Sequence, residues 1–79
     1  MKKIAIIGLG YVGLPLAVEF GKKFTTVGFD INTARVAELN SGVDSTLETT
    51  PEELASANLL TCTIDASLIA DSNIFVVTV

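Results

Sequence analysis

Short runs of apolar residues alternate along the chain with segments in which apolar residues recur at helical spacing. Apolar runs of strand length that lack polar alternation are typical of strands buried on both faces of a parallel sheet. They predict strands at about residues 3–7, 25–29, 59–64 and 74–79. The intervening segments predict helices at about 11–22 and 33–40, a short helix that begins near residue 51, and one or two helical turns within 65–70. This alternation predicts an α/β fold with an all-parallel sheet.

The first helix is predicted from an apolar stripe that lies beside two small residues. Val12, Leu16 and Phe20 form the stripe, at positions i, i+4 and i+8. Gly13 and Ala17 form a small-residue face that permits the helix to pack closely on the sheet.

The later helices have clear boundary signals. In the second helix we expect Val36 and Leu39 to face inward, and Gly42 to end the helix. Residues 43–50 predict a polar loop. The segment 50–53, Thr-Pro-Glu-Glu, places a capping residue before a proline and an acid three positions on, which predicts a helix start.

Three glycines follow the first strand with the spacing G-x-G-x-x-G. Gly8 can make a tight turn, Gly10 lets a pyrophosphate approach the backbone, and Gly13 lets the next helix lie close to the strand. The free N–H groups and the dipole of that helix stabilise an anion at the same place. A glycine motif alone is weak evidence, because glycine-rich turns without a ligand are common, so its context decides.

The context of the motif is that of a dinucleotide site. The pattern requires a strand, a helix, a second strand and then an acidic residue roughly 20 positions on. Asp30 ends the second predicted strand, 17 residues after Gly13. Its carboxylate can accept hydrogen bonds from an adenosine ribose and would repel a 2′-phosphate, which favours NAD over NADP. The alternative is a structural role for Asp30 as a helix cap, although Asn32 makes the better N-cap.

Arg35 is an unexpected residue at its position. It lies near the first turn of the second helix, where the helix dipole does not favour a cation. Another attraction is therefore expected, and the adenosine-side phosphate or ribose of a cofactor is one candidate. A solvated surface arginine is the alternative.

The predicted elements combine into a Rossmann-type doubly wound parallel sheet. Right-handed crossovers give the strand order 3-2-1-4. This order places the glycine turn at the switch point between strands 1 and 4, where ligands bind in such sheets. The length of 79 residues allows one small domain at most.

Composition and charge exclude several classes of function. The chain has nine acidic and five basic residues, a net charge of −4 and no large basic cluster, so nucleic acid is not an expected partner. It has no histidine and one cysteine, Cys62, which leaves no internal disulfide or metal-ligand set and fits a reducing compartment. The first apolar run is interrupted by glycines and followed by Glu19, which argues against a signal peptide or a membrane span. Neither an acid–base pair nor a nucleophile with its base is evident.

The glycine turn carries more than the general fingerprint, because residues 10–15 read Gly-Tyr-Val-Gly-Leu-Pro. With its neighbours, this run resembles the start of the UDP-glucose/GDP-mannose dehydrogenase family. The other positions that carry the resemblance are residues 3–9 and 16–17, Gly-Phe-Asp-Ile-Asn at 28–32, Arg35-Val36, Glu38-Leu39, Gly42, and the closing run 73–79.

The resemblance implies a reaction. Members of this family oxidise the C6 alcohol of a nucleotide sugar to a carboxylate, with two hydride transfers to NAD. The chain is most similar to members that act on UDP-N-acetylhexosamines for surface polysaccharide synthesis. The catalytic cysteine and lysine of the family would lie beyond Val79, so Cys62 is expected to be structural and the chain alone to be inactive. Residues 1–79 would then be the N-terminal part of the NAD-binding Rossmann domain of a cytoplasmic, homo-oligomeric enzyme.

The candidate site consists of cofactor-binding residues, with no catalytic or metal-binding residue. The candidates are Gly8, Gly10, Tyr11, Val12, Gly13, Asp30, Asn32 and Arg35. Two alternatives stay open: another dehydrogenase with the same cofactor half, such as one acting on 3-hydroxyacids, and a non-catalytic nucleotide-sensing module.

Overall fold

The predicted strands and helices are present in the structure, a computed structural model that describes residues 2–45 and 49–78. In chain order the elements are β1 (Lys3–Ile7), α1 (Gly13–Gly21), β2 (Thr25–Phe29), α2 (Thr33–Asn40), α3 (Pro51–Ser56), β3 (Leu60–Thr63) and β4 (Ile74–Val77). A 3₁₀ helix, Ala66–Ile69, precedes β4. Val79, which the sequence pattern includes in the fourth strand, lies outside the described residues.

The four strands form one parallel sheet in the order β3-β2-β1-β4, as predicted. Ala5 of β1 pairs with Val27 of β2 on one side and with Phe75 of β4 on the other. Val27 lies in turn opposite Thr61 of β3. Because the strands are parallel, their carboxyl ends meet at one edge of the sheet, and the turn between β1 and α1 lies there.

Helix α1 approaches the sheet through its small residues. Gly13, Leu14, Ala17, Val18 and Gly21 are its buried residues. A Cβ atom on Gly21 would lie 2.7 Å from the Cβ of Leu60, so the contact needs a glycine. Of the predicted apolar stripe, Leu16 and Phe20 are half-buried against the core, whereas Val12 is 55% exposed. The close approach of the small residues therefore determines which face of α1 is buried.

The hydrophobic core joins the sheet to α1 and α2. Its fully buried large side chains include Ile6, Leu9, Leu14 and Val18. Val36 and Leu39 of α2 face inward, as predicted. Cys62 is buried in the same cluster, and burial raises the pKa of its thiol to about 11. A thiol with such a pKa is a poor nucleophile at neutral pH, which supports a structural role.

The helices are short, with six to nine residues each. Helix α3 begins with the capping box that the sequence predicts: Glu53 N–H donates to the Thr50 hydroxyl oxygen, and Thr50 N–H donates to the Glu53 carboxylate. Within the described ranges, no helix is both long and apolar enough to cross a membrane.

Strand β4 leaves an apolar surface at the edge of the sheet. It pairs with β1, and no other described strand adjoins it. Ile74 is 41% exposed, Phe75 50% and Val77 70%. Successive strand residues point to opposite faces, so both faces of β4 expose apolar side chains.

Candidate functional site

Gly8 and Gly13 are required by the shape of the turn itself. Gly8 has a φ of +97°, a conformation that L side chains rarely adopt. Its N–H donates to the Phe29 carbonyl at 2.8 Å, which joins the end of β1 to the end of β2. A Cβ atom on Gly13 would lie 1.7 Å from the Gly8 carbonyl oxygen, so no other residue fits there.

Gly10 is different, because the fold itself does not need it. The residue is exposed, and a Cβ atom placed on it would meet nothing within 4 Å. Tyr11 and Val12 follow it on the turn with 70% and 55% of their surface exposed. The backbone at the start of α1 is therefore open and leaves room for an anion such as a pyrophosphate.

The main chain of Leu9 is bound by charged side chains from two later elements. Leu9 N–H donates to Oδ2 of Asp30 at 2.9 Å, and the Leu9 carbonyl accepts from Nε of Arg35 at 2.8 Å. The Leu9 side chain is fully buried and packs on Gly28, where a Cβ atom would lie 2.8 Å from Leu9 Cδ2. The centre of the turn is thus held in place by the side chain, the N–H and the carbonyl of Leu9.

Asp30 lies at the carboxyl end of β2, next to the glycine turn. Its Oδ1 atom accepts from Asn32 N–H at 2.9 Å. A shallow cleft of about 210 Å³ opens beside it, lined by Ile7, Gly8, Phe29, Asp30, Ile31 and Thr78. The predicted acidic residue and the turn therefore share one opening at the carboxyl edge of the sheet.

Asn32 is the N-cap of α2, as the sequence indicates. Its Oδ1 atom accepts from Arg35 N–H at 3.1 Å. The cap lies two residues after Asp30, and the helix that it begins brings the Arg35 side chain to the glycine turn.

The Arg35 side chain is buried, whereas the sequence left open a solvated arginine. Its Nη1 atom lies 2.8 Å from Oε1 of Glu38 and 2.6 Å from Oδ1 of Asp44. Burial by itself lowers the pKa of Arg35, but hydrogen bonds to these two carboxylates outweigh it and raise the pKa. The Arg35 hydrogen bond likewise lowers the pKa of Glu38. Arg35 and Glu38 are therefore charged at neutral pH.

The third nitrogen of the Arg35 guanidinium is Nη2. Nη2 is buried and has no hydrogen-bond partner within residues 2–45 and 49–78. Buried donors are normally paired, so this atom has the capacity for an acceptor at the site.

Sequence reasoning missed Asp44, Thr78 and the backbone role of Leu9. Asp44 falls in the predicted polar loop, yet its side chain is fully buried, and its Oδ2 accepts from Thr49 N–H at 2.9 Å. Nothing in the local pattern marks it. Thr78 did have a signal, since it is the polar residue in an apolar run that ends at the carboxyl edge of the sheet. Residues 46–48 of the loop lie outside the described part of the chain.

The described residues contain no group of three or more His, Cys, Asp or Glu side chains that could hold a metal ion. The site combines backbone N–H groups, one acid and one arginine around an open glycine. Such an arrangement suits a phosphate and a ribose.

Comparison with known proteins identifies close relatives. The sequence model of the UDP-glucose/GDP-mannose dehydrogenase family, NAD binding domain, matches residues 2–79, so the cofactor is NAD. UDP-N-acetyl-D-glucosamine 6-dehydrogenases from Pseudomonas aeruginosa and Salmonella typhi are each 58% identical over 77 residues, which is 98% of the chain and 18% of each relative. A solved UDP-D-ManNAc dehydrogenase from Pyrococcus horikoshii matches with a TM-score of 0.79 and 32% identity, over 98% of the chain and 20% of that protein. The chain spans about a fifth of the length of these relatives.

We predict that Gly10→Ala leaves the fold intact but weakens NAD binding about tenfold or more, because the added methyl group occupies the open approach to the backbone. Calorimetric titration with NAD and thermal unfolding measure the two effects separately. Gly13→Ala is the comparison variant and should lose folding as well, since its methyl group collides with the Gly8 carbonyl. A folded Gly10→Ala protein with undiminished affinity would contradict the assignment of the turn.

We also predict that Asp44→Asn destabilises the protein by about 3 kcal/mol, because it leaves the buried Arg35 charge without a fully buried partner. Denaturant unfolding measures the change. Glu38→Gln is the matched control: it removes the other partner of Arg35, but the Glu38 side chain is 25% exposed, so the loss should be clearly smaller. Equal effects of the two variants would show that Asp44 is not the dominant partner.

Proposed function

Because the chain belongs to the UDP-glucose/GDP-mannose dehydrogenase family, we propose that it holds NAD at the glycine turn for the oxidation of a nucleotide sugar by a longer protein. The observation that carries the proposal is the open backbone at Gly10, next to a turn whose centre is fixed by Asp30 and Arg35. A turn held in shape before the ligand arrives loses less conformational freedom on binding, and this favours affinity.

The pyrophosphate is assigned to Gly10 and the N-terminus of α1. This helix has nine residues and no acidic residue in its first turn, so nothing on it offsets the positive end of its dipole. Gly8 and Gly13 shape the turn, while Tyr11 and Val12 border the approach to it. Backbone N–H groups then bind the phosphates, and no lysine is needed.

The adenosine ribose is assigned to Asp30. The two oxygens of an ionised carboxylate have about four acceptor positions between them, and those of Asp30 accept from Leu9 N–H and Asn32 N–H. Acceptor capacity therefore remains for ribose hydroxyls. Nη2 of Arg35, a buried donor that has no partner among the described residues, is a further candidate donor, and Asn32 caps the helix that carries Arg35.

The charges around the turn support NAD over NADP. The groups in and beside the turn include three carboxylates, those of Asp30, Glu38 and Asp44, and one guanidinium, that of Arg35. Together these four groups have a net charge of −2. An arginine can accommodate the 2′-phosphate of NADP in this fold, but the charge of Arg35 is already balanced by Glu38 and Asp44. A further dianionic phosphate would therefore be repelled.

The substrate is proposed to be a UDP-N-acetylhexosamine whose C6 alcohol is oxidised to a carboxylate. Support comes from the two relatives at 58% identity, which are UDP-N-acetyl-D-glucosamine 6-dehydrogenases. NAD supplies the hydride acceptor when bound, and this chain fixes its position. The residues that perform the chemistry are assigned to the remaining length of the protein, and residues 1–79 to the first part of its NAD-binding domain.

Several expectations about the whole protein stay proposals. They are a cytoplasmic location, a homo-oligomeric state and a use in surface polysaccharide synthesis. No structural observation favours a 3-hydroxyacid dehydrogenase or a sensing module over the nucleotide-sugar reaction.

We predict that Asp30→Ala weakens NAD binding about tenfold or more and reduces discrimination against NADP, because both the ribose acceptor and the repelling charge are lost. Affinities for NAD and NADP are measured side by side. Asp30→Asn separates the effects: it keeps an oxygen for Leu9 N–H, so the turn persists, but it lacks the charge that repels the 2′-phosphate. Unchanged affinities for both cofactors in the alanine variant would remove Asp30 from the site.

The activity is tested with the complete polypeptide that carries this chain. It is offered NAD with UDP-N-acetylglucosamine, UDP-N-acetylgalactosamine, UDP-glucose and GDP-mannose in turn, and NADH is followed by absorbance. We expect a UDP-N-acetylhexosamine to be oxidised with two NADH formed per sugar, as a four-electron oxidation requires. Absence of turnover with every sugar, in a protein that binds NAD, would overturn the proposed reaction.

A further inference from the structure

Thr78 directly follows β4 and bonds to the end of β1. Its N–H donates to the Ile7 carbonyl at 2.8 Å, which extends the pairing of β4 with β1 by one step. Its hydroxyl oxygen lies 2.9 Å from the Gly8 carbonyl oxygen and 3.2 Å from that of Ile7. A threonine hydroxyl has one proton to donate, and the shorter distance favours Gly8 as its acceptor.

The same hydroxyl occupies the space that two glycines leave open. A Cβ atom on Gly8 would lie 2.8 Å from Oγ1 of Thr78, and one on Gly13 would lie 2.7 Å from it. The side chain therefore fits between the beginning and the end of the glycine motif. Neither glycine could carry a side chain without moving Thr78.

Planarity of the peptide bond extends the effect of this contact along the turn. The Gly8 carbonyl and the Leu9 N–H belong to one trans peptide unit and point in opposite directions. Thr78 binds the carbonyl end of this unit, and Asp30 binds its N–H end. The next unit is fixed through the Leu9 carbonyl by Arg35, so the Gly10 N–H points away from that side chain.

We propose that Thr78 is a positioning residue for NAD, whose hydroxyl holds the Gly8–Leu9 peptide unit in the orientation that the phosphate-binding turn requires. The inference rests on the proposed use of this turn for NAD. Thr78 acts through the backbone of Gly8 rather than on the cofactor, and it couples the end of β4 to the site.

The test compares two substitutions at one position. Thr78→Val keeps the shape of the side chain but removes the hydroxyl, and we expect it to weaken NAD binding about fivefold, as the loss of one net hydrogen bond implies. Thr78→Ser keeps the hydroxyl and should bind NAD within about twofold of the parent protein. Calorimetric titration with NAD gives the affinities, and thermal unfolding gives the stability.

Thr26→Val is the matched control. The Thr26 hydroxyl is buried and donates to the Phe24 carbonyl at 2.9 Å, near the opposite end of the sheet. Its loss should lower stability without a change in NAD affinity. A purely structural role of Thr78 would give the same result for Thr78→Val, and this would overturn the inference, as would equal losses in Thr78→Val and Thr78→Ser.

Amide hydrogen exchange without cofactor separates this inference from the proposed function. Exchange at Leu9 and Gly10 should be faster in Thr78→Val than in the parent or in Thr78→Ser, because the turn is less restrained. If the parent protein bound no NAD, the proposed function would fail, and unchanged exchange would independently overturn the role of Thr78.

Discussion

The two peptide units that meet at Leu9 are the constraint on which the proposed cofactor site depends. Leu9 is fully buried, and its side chain packs against Gly28 of β2. Its N–H is bound by Asp30 and its carbonyl by Arg35. Glycines make the turn sterically allowed, but they also make it flexible. The side-chain contacts remove that flexibility, and they do so from elements whose positions follow from the parallel pairing of β1 with β2.

The buried Arg35 connects this turn to a loop that the sequence alone leaves unstructured. Its guanidinium bonds the Leu9 carbonyl with Nε and two carboxylates with Nη1, while Asp44 binds the backbone of Thr49. Removing the Arg35–Asp44 ion pair from water costs free energy. The pair therefore contributes less to net stability than to fixing one arrangement of the turn and the loop. The pairing also fits the proposed preference for NAD over NADP, since two carboxylates already balance the charge of Arg35.

The sequence predicts the features of this protein that depend on local pattern. Apolar runs identified the four strands, the glycine spacing identified the turn, and Asn32 and Thr50 marked the starts of two helices, because each signal lies within a few neighbouring residues. Interactions between distant residues were not predictable in the same way. Leu9 bonds to Asp30 and Arg35 across 21 and 26 positions, and Thr78 bonds to Gly8 across 70. The buried face of α1 was also misjudged at Val12, since the close approach of Gly13 and Gly21 to the sheet, rather than apolar periodicity, orients that helix.

The contact of Thr78 with Gly8 makes the site depend on how firmly β4 is held. Among the described strands β4 pairs with β1 alone, and its apolar side chains are exposed on both faces of the sheet. A strand with one partner and little burial opens at a lower free energy than the central strands. When it opens, the Gly8 carbonyl loses the Thr78 hydroxyl while Asp30 and Arg35 still hold Leu9. Within the described part of the chain, the turn is therefore anchored more firmly from β2 and α2 than from β4, so any contact that covers β4 strengthens the weakest of these anchors and, by linkage, the proposed binding of NAD.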